Sequence, residues 1–154
     1  MLSKTYSDDP FGRQECRGRS MQQIDIVIIE NHTILREALR FVLNRGRSLR
    51  VTGEAASIDR AEELVASLKP QVLLVDVSSQ APVILPTIEI LKRCHPETKI
   101  IALTDQVQDE YYCLMLRPRV DACMLKKSAV DEMRRIIKMV ADGQRPVVQS
   151  MAGK

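Results

Sequence analysis

Four places in this chain bring together groups that could handle a phosphoryl group or a divalent ion. Glu30 and Asn31 follow the apolar run "IVII" and Asp76 follows "VLLV". Thr104 and Asp105 follow "IIAL", and Lys126 follows "ACML". A carboxylate such as Asp76 could act as a nucleophile toward phosphorus. A second acid, Glu30, could help to seat a divalent metal beside it. The Thr104 hydroxyl and the Lys126 ammonium could bind and neutralise the oxygens of the group transferred.

Side chains so far apart in sequence meet only if the apolar runs before them lie side by side. Short apolar runs bounded by polar residues fit strands buried on both faces, as in a parallel sheet. The stretches between them have helical spacing. Ile34, Leu35, Ala38, Leu39, Val42 and Leu43 fall on one face of a first helix, with Gly46 placed to stop it and Asn31 placed to cap it. A second strand covers Leu49 to Glu54. Ser57 is expected to cap the next helix, with Asp59, Glu62 and Glu63 near its positive end. A third helix is expected from Pro86 to Cys94, with proline in its first turn. A fourth is expected from Gln106 to Leu116, with Asp105 as its cap. Ser128 is expected to cap a last helix that Gly143 closes. The pattern is βα five times over, which predicts an α/β fold: a doubly wound, parallel, five-stranded (βα)5 sheet. In such sheets ligands bind outside the carboxyl ends of the strands.

Composition sets limits on function. The 154 residues fit one domain, with hydrophobic residues at 45% and charged residues at 28%. The net charge of +3 comes without a long basic run, and aromatics are only 3%, so nothing points to direct nucleic-acid binding by this chain. No apolar run has the length of a membrane span and the N-terminus has no apolar signal core, so the expected compartment is the cytoplasm. Cys16, Cys94, Cys113 and Cys123 lack metal-ligand spacing and are expected to be reduced thiols. Residues 1–22 are polar and without periodicity, which predicts a disordered leader. Residues 23–143 form the domain, and 144–154 look like the start of an interdomain linker or tail.

In combination, "IVIIENHTILREAL", "PQVLLVDV", "IIALT", "DACMLK" and "AVDEMRRIIKMVADGQRPV" resemble the receiver domain of two-component response regulators, particularly the kind that precedes a LuxR-type helix-turn-helix. The resemblance implies a flavodoxin-like receiver fold with Asp76 as phospho-acceptor, assisted by Thr104 and Lys126. It implies Mg2+ held by Glu30, Asn31, Asp76 and the backbone of Ser78. The partners it implies are a sensor histidine kinase or other phospho-donor and a second copy of the chain, in a homodimer. It implies signalling rather than enzymatic turnover.

Several positions depart from the family's pattern. Its acidic pair is usually two acids, and here it is Glu30 and Asn31, which predicts a weakened metal site. The residue after the threonine is usually small, and here it is Asp105. Cys123 stands where a switching aromatic is usual, and Arg119 where a glycine is usual. These departures make a phosphorylation-independent pseudo-receiver, acting as a dimerisation or interaction module, the alternative function. An aspartate-nucleophile phosphatase is disfavoured, because Ser78 stands where haloacid-dehalogenase-like enzymes place their second acid. His32, a lone histidine at a helix start, is expected to be a surface or capping residue with no site role, and Lys127 a solvated neighbour of Lys126.

Overall fold

The computed structural model describes residues 22–78, 81–105 and 116–146, without the side chains of 81–83. Five strands run β1 (Ile24–Ile29), β2 (Leu49–Ala55), β3 (Val72–Asp76), β4 (Lys99–Thr104) and β5 (Ala122–Leu125). Among the described residues, three helices connect strands, α1 (Thr33–Asn44), α2 (Ala61–Leu68) and α3 (Ala81–Cys94), and α4 (Val130–Ala141) follows β5. All the strand pairings are parallel, in the order β2-β1-β3-β4-β5. The direction of winding reverses between β1 and β3, so the crevice for a ligand lies at their carboxyl ends.

The strands form because both faces of the sheet are covered. Ile26 and Ile28 pack with Leu39 and Leu43 of α1 and with Met133, Ile136, Ile137 and Val140 of α4. Val27 and Ile29 point the other way, into a second core with Ala61 and Val65 of α2 and Ile84, Ile88 and Leu91 of α3. Val72 and Leu74 against Leu73 and Val75 repeat this alternation in β3. Each of these fully buried aliphatic side chains contributes about 1.5–3 kcal/mol through area removed from water. Two separate cores on one sheet make the fold doubly wound, as the βα repetition predicts.

The helix ends differ in part from expectation. Asn31 does not cap α1; its N-cap is His32, and no side chain bonds the first turn. Gly46 follows the helix at φ 121°, a conformation that glycine adopts without strain. Ser57 accepts from the Asp59 N–H, but first opens a 3-10 turn at Ile58–Arg60, and α2 continues from it. The third helix starts at Ala81 rather than at Pro86, so Pro86 lies inside it. Ala129 rather than Ser128 is the N-cap of α4, because the Ser128 N–H is taken by the Leu125 carbonyl in the turn leaving β5. Gly143 closes α4 as expected. At φ 85° it donates to the Val140 carbonyl while Gln144 donates to that of Met139, the paired bonds of a Schellman turn. The helix expected over 106–116 falls outside the described residues except at buried Leu116, and with it the first turn that Asp105 is expected to cap. The leader and most of the tail also fall outside them.

Candidate functional site

Four strands ending on one edge, β1, β3, β4 and β5, deliver polar groups to one place. β1 runs directly into Glu30, whose backbone N–H is fixed by the Ala55 carbonyl at 3.0 Å and whose own carbonyl accepts from Arg36 Nη1 at 2.8 Å. β3 ends on Asp76 and β4 on Thr104, and both are buried. Lys126 follows β5 directly, and its N–H donates to the Thr104 carbonyl at 2.8 Å. Glu30 is fully buried, which a carboxylate tolerates only with close partners.

Lys126 provides one. Its Nζ lies 2.9 Å from Asp76 Oδ1 and 3.0 Å from Glu30 Oε2, and 3.7 Å from the exposed Asp105 carboxylate. Burial works to raise the Asp76 carboxyl group, but the Ser78 N–H and the Lys126 ammonium outweigh it and hold the acid below the ordinary carboxylate range. Burial likewise works to lower Lys126, and its bonds to Asp76 and Glu30 outweigh that, keeping the ammonium above its ordinary range. At neutral pH, therefore, the pocket holds an ionised acid against a protonated base.

Ser78 contributes twice. Its backbone N–H donates to Asp76 Oδ1 at 2.9 Å, and its hydroxyl accepts the Asp105 N–H at 3.1 Å. That second bond ties the loop after β3 to the loop after β4 across the mouth of the pocket.

Of the residues selected from sequence, Glu30, Asp76, Ser78, Thr104 and Lys126 gather at this edge. Asn31 is exposed. His32, expected as a surface or capping residue, is exposed and is the N-cap of α1, and it also contacts the site. Its N–H donates to Glu30 Oε1 at 2.9 Å, and its ring Nδ1 stands 3.1 Å from the same oxygen. Ligand atoms of Glu30, His32 and Asp76 lie within 4.8 Å of one another. Its position two residues after a strand-end acid was the available signal. The carboxylates of Glu30 and Asp76, with the Ser78 backbone beside them, suit a hard dication that takes oxygen ligands.

A profile of the family described as "Response regulator receiver domain" matches residues 26–138. The chain belongs to that family. Receiver domains bind Mg2+ at this acidic pocket and work with histidine kinases or other phospho-donors. Among curated relatives, the response regulator GacA of Pseudomonas viridiflava is 28% identical over 129 residues, 84% of this chain and 60% of that protein. The chain therefore spans less than two thirds of the GacA length. A LuxR-family two-component response regulator from Aurantimonas sp. SI85-9A1 superposes with TM-score 0.72 at 19% identity, over 82% of this chain and 90% of that one. RcsB, solved as two dimers bound to two parallel DNAs, superposes with TM-score 0.73 at 20% identity, over 85% of this chain and 66% of that one. The two solved structures establish the shared flavodoxin-like receiver fold. This receiver domain carries no helix, among its described residues, long and apolar enough to cross a membrane. Of its cysteines, Cys94 is exposed and Cys123 buried, and neither is in a disulfide.

Proposed function

We propose that this receiver domain accepts a phosphoryl group on Asp76 from a phosphorylated sensor histidine kinase or a small acyl-phosphate donor. The response passes to a LuxR-type effector, through a homodimer in the cytoplasm. The observation that carries the reading is the contact of Lys126 with Asp76 at 2.9 Å in a pocket floored by buried Glu30. An Asp76 carboxylate oxygen attacks phosphorus. The bond from phosphorus to the donor's imidazole nitrogen, or to the carboxylate oxygen of an acyl-phosphate donor, breaks, its electron pair stays on that donor atom, and an acyl phosphate remains on Asp76. The strengthened acidity of Asp76 keeps the nucleophile ionised. Lys126 and Thr104 then meet the new phosphoryl oxygens with charge and a hydroxyl. Glu30, Asp76, the Ser78 carbonyl and the amide of Asn31 would hold Mg2+, which neutralises phosphoryl charge when bound. An amide in place of a second acid makes that binding weak. The domain turns nothing over in this reading; it is a switch, not an enzyme.

RcsB's assembly as dimers on DNA supports the dimer and the transcriptional output. A second reading, the phosphorylation-independent interaction module, is favoured by Lys126 already bridging Glu30 and Asp76 with Asp105 at the mouth. Intact mass after incubation with acetyl phosphate and Mg2+ separates the two. An adduct of one phosphoryl group on wild type, absent from Asp76→Ala, is expected. No adduct under conditions that label an ordinary receiver would leave the interaction module.

A further inference from the structure

Glu30 divides its two oxygens between two cations or would-be cations. Oε2 faces the Lys126 ammonium at 3.0 Å. Oε1 faces away from it, toward the imidazole of His32 at 3.1 Å. Two ligands that each lie about 2.1 Å from one ion stand roughly 3.0–3.4 Å apart, for octahedral to tetrahedral angles. The spacing between Glu30 Oε1 and His32 Nδ1 is within that interval. An Asp76 oxygen is the third member of the group, the ligand atoms of the three residues all lying within 4.8 Å of one another.

The imidazole is placed by its backbone rather than by chance. The His32 N–H is bonded to Glu30 Oε1 at 2.9 Å and its carbonyl accepts the Arg36 N–H at 2.9 Å, so both ends of the residue are fixed. Its side chain is 66% exposed while those of Glu30 and Asp76 are 0% and 5% exposed. The cluster thus has a closed carboxylate floor and an imidazole at an open mouth, where water can complete a coordination shell. Two carboxylates against one ammonium leave a net negative charge for a dication to offset.

We propose that Glu30, His32 and Asp76 form a mixed nitrogen–oxygen site in which the His32 imidazole selects a borderline transition-metal dication, such as Zn2+ or Co2+, over Mg2+. Imidazole nitrogen suits these ions and contributes little to Mg2+, which prefers carboxylate, carbonyl and water. The proposal deepens the reading of Asp76 as a receiver acceptor by naming the ion its pocket favours, but it does not need phosphoryl transfer to occur.

The test is calorimetric titration of the untagged full chain with ZnCl2 and separately with MgCl2, without any phospho-donor. Wild type is compared with His32→Ala, Asp76→Asn and His95→Ala; His32 and His95 are the two histidines in the sequence. His32→Ala is expected to weaken Zn2+ by at least about tenfold, the least that losing even an outer partner of a metal site costs, and to leave Mg2+ unchanged. Asp76→Asn is expected to weaken both ions, and His95→Ala neither. With Co2+, visible ligand-field bands shifted and intensified relative to the aqueous ion are expected for wild type and not for His32→Ala. Zn2+ affinity that survives His32→Ala, or falls equally in His95→Ala, would overturn the proposal. So would a matching loss of Mg2+ affinity in His32→Ala. A chain that takes no phosphoryl group yet shows His32-dependent Zn2+ binding would sink the acceptor reading and keep the metal site. An adduct on Asp76 without His32-dependent binding would do the reverse.

Discussion

Lys126 reaches Asp76 across the end of an intervening strand. β4 lies between β3 and β5, so the two backbones are two strand spacings apart, about 9.6 Å. The long lysine stem and the short aspartate close that gap to 2.9 Å. The stem also brings Glu30 within 3.0 Å, so one cation serves two buried acids.

Removing that cation is the most damaging change available at the site. Lys126→Ala leaves Glu30 and Asp76 facing each other without a counter-charge. The expected loss is about 3 kcal/mol, the lower end of the range for breaking a buried pair, because the pocket opens at the sheet edge. Urea unfolding at pH 7 measures it. Adding Glu30→Gln to Lys126→Ala is expected to recover part of the loss. If the double variant is no more stable than Lys126→Ala, the acids are not the source of the cost.

The pH dependence follows from the directions of the two shifts. Asp76 has its acidity strengthened by folding, so its contribution is complete above the unfolded carboxyl value of about 3.9 and is lost as pH falls through the lower folded value. Lys126 is shifted upward, so its contribution is complete below about 10.4 and is lost as pH rises through the higher folded value. Between those limits the pair adds no slope. Stability of wild type minus that of Asp76→Asn, measured by denaturant from pH 3 upward, is expected to fall only at the acid end. A difference that changes steadily between pH 5 and 8 contradicts the assignment.

Asp105 adds a negative charge where a phosphoryl group would enter. Its carboxylate is exposed and 3.7 Å from the Lys126 ammonium. Asp105→Ala is expected to raise the rate of labelling by acetyl phosphate about 1.4- to fivefold, as suits an exposed charge interaction of about 0.2–1 kcal/mol. The gain should shrink as salt is added. A rate that stays the same or falls would mean that Asp105 positions the loop through its backbone bond to Ser78 rather than repelling the donor.

Asp121 tests the frame instead of the site. Its carboxylate accepts the Ile100 N–H at 2.8 Å and pairs with Lys92, joining the start of β5 to β4 and α3. Asp121→Ala is expected to cost about 1.5–3 kcal/mol, typical of hydrogen bonds to a charged group, and to leave a folded protein that still carries the site. Thermal melting and labelling of Asp76 together check both parts.

The sheet was legible because each strand is an uninterrupted apolar run that must be covered on two faces, and such runs contrast sharply with their polar borders. The strand-end residues followed from the same logic, since a βα repeat puts every strand end on one edge. What escaped was local. Ala81 already begins α3, and the bond that Pro86 forgoes inside it is only the one to the Pro82 carbonyl, so a proline misdirected the boundary without breaking the helix. Asn31 is the better capping residue by type, but the tight bonding of His32 to Glu30 moves the helix start past it. His32 is the surface and capping residue its sequence position suggests, and only its contact with Glu30 depends on the geometry of the turn.

The order of the strands has a consequence for how the chain assembles as it is synthesised. β1, β2 and β3 pair with one another and are complete by residue 76, so the N-terminal half can organise before the rest has emerged from the ribosome. That half already contains Glu30 and Asp76, and its only route to their shared counter-ion is residue 126, fifty positions later. The nascent sheet must therefore leave those acids to water until β5 docks. Docking of β5 then replaces water around both acids with one ammonium, so the last strand to arrive is also the one that brings the pocket its counter-charge.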